Sequence, residues 1–143
     1  MKKSHVIIAV ILIALSTSGA FAQTSDYYGE VSPRYSYIMD ITPVLVIDNE
    51  GNSAATIDVY PIDLNTVDRV TATVTLRNID NGRPVATWRD MPLVIEPLYT
   101  MYNLDLTYRL PIQGTYIMEA TISLYHGNTL RERVSVTSNI ASF

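Results

Sequence analysis

The chain contains no cysteine. No disulfide can staple it, no thiolate can act as a nucleophile, and no lipobox cysteine is present to carry an acyl anchor. Histidine is almost as scarce. Of the two in the chain, His5 falls in the leading segment described below, which leaves His126. A single histidine without cysteine does not make a zinc site of the usual nitrogen and sulfur kind. Lysine occurs only as Lys2 and Lys3, and tryptophan only as Trp88. No internal repeat, low-complexity tract or convincing helical period is present, and after the leading segment no apolar run approaches the ~20 residues of a spanning helix.

What is present begins with that leading segment. Lys2 and Lys3 precede an apolar run from Val6 to Leu15, then Ser16-Thr17-Ser18-Gly19 and Ala20-Phe21-Ala22. A charged start, a short apolar stretch and an A-x-A site make a secretory signal peptide, residues 1–22, with cleavage expected after Ala22. The run is about half the length of a membrane anchor. Residues 23–34, polar with Tyr27-Tyr28, read as an N-terminal arm, and residues 35–143 as one domain large enough to bury a core. From Gln23 onward eight arginines stand against fourteen acids, a formal charge of −6. That balance argues against nucleic acid or anionic lipid as the partner, since both are held by clustered positive charge. A secreted, extracellular protein is expected, with no membrane span in the mature chain.

From Tyr37 the apolar residues recur with period two, the spacing of strands with one packed and one wet face. Tyr37 to Ile47 is a first strand, closed by Asp48-Asn49-Glu50-Gly51-Asn52, and Ser53 to Tyr60 a second, stopped by Pro61. Arg69 to Arg77 alternates throughout, with Thr71, Thr73 and Thr75 outward. Asn81-Gly82 predicts a hairpin turn, and the chain returns through Val85 to Arg89, carrying Trp88 in the phase of Ala86. Leu93 to Ile95 reads as an edge strand or a connection between sheets. Tyr102 to Leu110, Gly114 to Tyr125 and Leu130 to Ser138 follow, the last two joined by a His126-Gly127-Asn128-Thr129 turn. About seven strands at this spacing predict a single antiparallel all-β sandwich or barrel.

Gly114-Thr115-Tyr116-Ile117-Met118 resembles the G-x-Y-x-C segment of immunoglobulin domains, in which the tyrosine hydroxyl bonds back to the backbone. Met118 takes the cysteine position, and with Trp88 upstream the chain resembles a disulfide-free immunoglobulin-like or fibronectin type III sandwich. A second resemblance spans most of the domain. Arg34-Tyr35-Ser36-Tyr37-Ile38 leading into a strand, a Thr-rich strand ending in Leu76-Arg77, Trp88 after the next turn and a final Gly-x-Tyr strand are similar to small secreted β-sandwich proteins of Gram-positive bacteria without assigned function. Arg77 and the single tryptophan depart from that group, where Leu-Gln and more than one tryptophan are common.

Little in the sequence reads as catalytic. His126 lies in a hairpin turn, and the nearest acid in sequence, Glu132, is on the opposing strand. Acids are scattered at outward strand positions (Asp58, Asp105, Glu119) and in turns (Asp48, Glu50, Asp80). A carboxylate hydrolase would need two of them in one cleft. Asp48-x-Glu50-x-Asn52 offers oxygens suited to calcium but not the spacing of a calcium-binding loop, and reads first as a plain turn. All ten tyrosines follow the signal. Tyr37, Tyr102, Tyr108 and Tyr116 share the apolar phase of their strands, whereas Tyr60 and Tyr125 point the other way. Tyr60, Trp88 and Tyr125 are therefore the candidate binding surface, although cross-strand aromatics also stabilise sheets without a ligand. The expectation is a secreted, non-enzymatic interaction or surface-associated module without cofactor, meeting a protein or glycan outside the cell. The alternatives are a carbohydrate-binding module using exposed Tyr and Trp, and a small carboxylate hydrolase.

Overall fold

The computed structural model describes residues 35–143; the expected signal peptide and arm lie outside them. The described residues form nine strands and no helix: β1 (Ile38–Ile47), β2 (Asn52–Pro61), β3 (Arg69–Asn78), β4 (Arg83–Pro92), β5 (Val94–Glu96), β6 (Met101–Arg109), β7 (Thr115–His126), β8 (Thr129–Thr137) and β9 (Ala141–Ser142). None of them gives a helix long and apolar enough to cross a membrane. They make two antiparallel sheets, one in the order β1-β2-β6-β5, the other β4-β3-β7-β8 with β9 also on β7. Lettered A to G with β4 as C′, these orders are A-B-E-D and C′-C-F-G, the strand order of an immunoglobulin-type sandwich. The expected all-β sandwich is thus the observed fold, with nine strands rather than about seven. Ala141–Ser142 is too short to show alternation, and three-residue β5 is both an edge strand and the crossing between sheets.

Alternation sets the two faces. Val70, Ala72, Val74 and Leu76 of β3, with Tyr116, Met118, Ile122 and Leu124 of neighbouring β7, pack in one continuous core with Ile57 and Val59 of β2 in the other sheet. Each such aliphatic side chain contributes roughly 1.5–3 kcal/mol by leaving water. Met118, in the position of the immunoglobulin cysteine, is fully buried there. The tyrosine corner expected at Tyr116 forms, its hydroxyl donating to the Ile112 carbonyl. The tryptophan does not follow the pattern. Trp88 sits on β4, not on β3 where immunoglobulin domains carry theirs, because the Asn81-Gly82 hairpin places it one strand later, opposite Val74.

Edges of a sheet invite pairing by other chains, and β1 is blunted at three successive edge-facing positions. The Ile41 N–H is held by the Asp40 carboxylate at 2.9 Å. Pro43 has no N–H. Leu45 donates to the Asn139 side-chain carbonyl at 2.9 Å and accepts from its amide nitrogen at 2.8 Å. Asn139 is free to do this because the interruption between β8 and β9 turns it toward β1. At the start of β1, the Glu132 carboxylate accepts from the Ser36 and Tyr37 N–H groups at 3.1 and 2.9 Å. Both clamps stitch β1 to the other sheet.

The β1–β2 turn shows what glycine is for. Gly51 has φ +81°, and a Cβ there would lie 2.7 Å from the Phe143 ring. That ring in turn stacks on Tyr116, centroids 6.3 Å apart. Gly51→Ala should therefore destabilise the protein by about 1–3 kcal/mol, from a left-handed backbone that alanine disfavours and from displacement of Phe143. Chemical denaturation of the variant checks this, and an unchanged midpoint would contradict it.

Candidate functional site

The three aromatic residues singled out in the sequence are not gathered on one surface. Tyr60, half-buried, lies on the outer face of the first sheet opposite Asp40. Tyr125 lies on the outer face of the second sheet, and the Arg69 guanidinium sits 3.9 Å from its ring centroid, a cation–π contact between ladder partners. Trp88 turns inward at the rim, half-buried, its ring edge-on to Tyr108 of the opposite sheet at 6.0 Å and 88°. The sequence left the face of Trp88 open, and the register of β4 against Val74 settles it.

His126 has an acidic neighbour that sequence proximity does not reveal. Asp68, in the β2–β3 loop, places Oδ2 3.7 Å from Nδ1 of His126 and accepts the Gly127 N–H at 2.8 Å. The sequence neighbours of His126 supply no carboxylate; the pairing of β7 with β3 carries Asp68 to the hairpin. Both side chains are about half exposed. Among the described residues no hydroxyl bonds to the imidazole, so a triad is not assembled. Close by, burial, and then the Asp68 charge, raise the Tyr102 hydroxyl above the range of a free phenol. It stays a donor, to the Val67 carbonyl at 2.9 Å.

Other acids are occupied by their own surroundings. Asp58 accepts from the Asn103 amide at 2.8 Å and Asp105 from the Thr56 hydroxyl at 2.9 Å, diagonal neighbours on an open sheet face rather than across a cleft. Asp48 accepts from the Asn52 side chain at 2.8 Å and from the N–H groups of Asn52 and Glu50 at 2.9 Å. These bonds, the Asn52 side chain first, hold its carboxyl below the ordinary 3.8. Because the folded carboxyl is the harder to protonate, its contribution is complete above that ordinary value and fades as pH falls through the lower folded one. Asp48→Asn should melt earlier than the parent at about pH 7, with the gap closing toward about pH 2. A constant gap between thermal scans at the two conditions would show that the carboxylate charge is irrelevant to the turn.

The most developed surface is the outer face of the second sheet. Register aligns side chains in rows: Thr87, Thr75, Glu119 and Thr137 in one, Thr73, Thr121 and Ser135 in the next, Thr71, Ser123 and Arg133 in a third. Thr75 and Thr87 hydroxyls approach to 3.4 Å, as do those of Thr121 and Ser135. At one end Arg77 grips the Glu119 carboxylate with Nε and Nη2 at 3.0–3.1 Å and donates to the Gly82 carbonyl at 2.8 Å. The arginine that departs from the Leu-Gln pattern therefore ties β3, β7 and the hairpin turn together. Alternation exposed the β3 threonines in the sequence, but the hydroxyls of β7 and β8 join them only through pairing. Such a face can both donate and accept hydrogen bonds across its whole width.

Neither a protein-family profile nor a curated protein sequence matches the chain. Among solved structures, the chain is similar to the CARDB domain of a Pyrococcus furiosus protein determined in complex with di-metal ions, at 15% identity, covering 73% of this chain and 91% of that one with a TM-score of 0.39. Neither the metal ions nor any role of that domain is carried over. The class of protein rests on the strand order described above, an immunoglobulin-type antiparallel sandwich.

Proposed function

We propose that this protein is a non-enzymatic interaction module acting outside the cell, exported through a signal peptide cut after Ala22 and akin to the small secreted sandwich proteins of Gram-positive bacteria. The observation that carries the reading is the hydroxyl-lined outer face of the second sheet, whose single ion pair, Arg77–Glu119, satisfies itself. A face of paired hydroxyls offers donors and acceptors that a polar partner can match as water is displaced, whereas acid–base chemistry needs shielded, oriented groups. The half-exposed His126–Asp68 pair and the hydrogen-bonded Asp58 and Asp105 favour structural roles. The partner is a protein or a glycan, met on this face and without a cofactor; of the three aromatic residues Tyr125 lies on it, covered by Arg69, whereas Tyr60 is on the other sheet and Trp88 turns inward.

The test pairs two measurements on the purified secreted protein. It should turn over no ester, peptide or glycoside substrate, and it should be retained by cell-envelope or host-surface material in a manner weakened by Thr121→Glu at the centre of the face. Turnover abolished by His126→Ala or by loss of a carboxylate would overturn the reading.

A further inference from the structure

Within that face one place is built differently from the rest. Between Ala72 and Val74 the β3–β4 ladder shifts register, so Arg89 and Asp90 together oppose Thr73. Such a bulge turns both residues to the same side and re-aims the strand. Asp90 adopts φ +50°, a conformation costly for a side-chain-bearing residue, and strain of this kind concentrates where a side chain must be aimed. Its N–H is fixed on the Thr73 hydroxyl at 3.2 Å. On the far side of the face, Arg133 leans in from β8, its Nε donating to the Ser123 hydroxyl at 3.2 Å.

Between them lies an open depression of about 260 Å³ lined by Thr71, Thr73, Asp90, Thr121, Ser123 and Arg133. Among the described residues neither Asp90 nor Arg133 makes an ion pair. An acceptor-only carboxylate thus stands at one wall, a donor-only guanidinium at the other, and a floor of hydroxyls lies between. The neighbouring depression, of about 660 Å³, reaches to Ile41 and Pro43 of β1 and contains Glu119, whose carboxylate is already bound by Arg77. The smaller one instead carries Asp90 and Arg133 in its lining, neither of them ion-paired among the described residues.

We propose that the Asp90–Arg133 depression is a binding site for one neutral pyranose ring, as a monosaccharide or as one residue of a glycan. Ligand pockets commonly enclose roughly 300–1,000 Å³, so this site is sized for a single small ring rather than a chain. Sugar hydroxyls both donate and accept. A vicinal pair can donate to Asp90 while a third accepts from Arg133, and the ring's remaining hydroxyls match the floor. A zwitterion would use the two walls only, would leave the hydroxyl floor unmatched, and would have to shed the hydration of two charges in a shallow site. The site deepens the non-enzymatic reading by naming what the face holds.

The experiment is an amide-resolved NMR titration of the purified protein with methyl glucopyranoside, galactopyranoside and mannopyranoside. At least one should shift the amides of Thr73, Asp90, Thr121 and Ser123 saturably in the millimolar range. Asp90→Asn, which tolerates the same backbone, and Arg133→Gln should each weaken that binding about tenfold, as expected for losing a hydrogen bond to a charged group. Asp90→Gly should abolish it while raising the melting midpoint, because glycine takes φ +50° without strain. Absence of saturable shifts with all three sugars, shifts with free glycine instead, or unchanged affinity in the Asp90 and Arg133 variants would overturn the site. Any of these leaves the module reading standing, which fails separately, on turnover of a substrate.

Discussion

Ile122→Ala should lower the unfolding free energy by about 2–5 kcal/mol and the melting midpoint by roughly 10 °C or more. Ile122 is 0% exposed and stands in the ladder between Ala72 of β3 and Val134 of β8. Truncation removes three methyl or methylene carbons from the middle of the core, and the surrounding strands, hydrogen-bonded on both sides, cannot collapse onto the gap. The loss is a large fraction of the ~5–15 kcal/mol that holds a domain of this size together. No disulfide exists to restrain the unfolded chain in compensation. Thr137→Ala, on the outer face of β8, is the control and should stay within about 0.5 kcal/mol. Thr73 is no such control, since its hydroxyl holds the Asp90 N–H. A midpoint for Ile122→Ala within about two degrees of the parent would mean that β7 presents its other face to the core.

Tyr116→Phe is the second large effect, about 1–3 kcal/mol for the removal of one oxygen. The Tyr116 ring is 0% exposed, its hydroxyl donates to the Ile112 carbonyl just ahead of β7, and its face stacks on Phe143. Phenylalanine keeps the ring and the stacking but removes the bond to the carbonyl at the bend that feeds β7, a part-buried bond that the fully buried Tyr116 ring holds in place. Tyr116→Ala should cost about 3–5 kcal/mol, with the cavity added. Denaturant melts of the two variants separate hydroxyl from ring, and a silent Tyr116→Phe would show that the corner bond contributes nothing.

Much of the sandwich was legible from residue order. The nine-position alternation of β3, the Gly-x-Tyr opening of β7 and the Asn81-Gly82 turn each act locally: period two separates wet from packed faces, and glycine at φ +72° closes the hairpin. Absence of cysteine, with Met118 buried in its place, was equally plain. The site was far less legible. Trp88 shares its local phase with half-buried Ala86, but only the bulge after it and the Val74 pairing turn its ring onto Tyr108. Asp68 reaches His126, Arg77 reaches Glu119, and Asp90 and Arg133 reach opposite walls of one depression, each from segments distant in sequence.

By itself, then, the sequence determined the fold class, the inward and outward face of the long strands other than β4, and the exclusion of thiol and of the usual nitrogen–sulfur zinc chemistry, because these depend on composition and on neighbours two residues apart. The tertiary structure alone decided which strands share a sheet, where β5 crosses, how Asn139 and Glu132 hold β1, and which polar groups meet on the second sheet. Those depend on register between distant segments. Alternation fixes only which side of a strand a residue occupies, and a single bulge changes what it finds there.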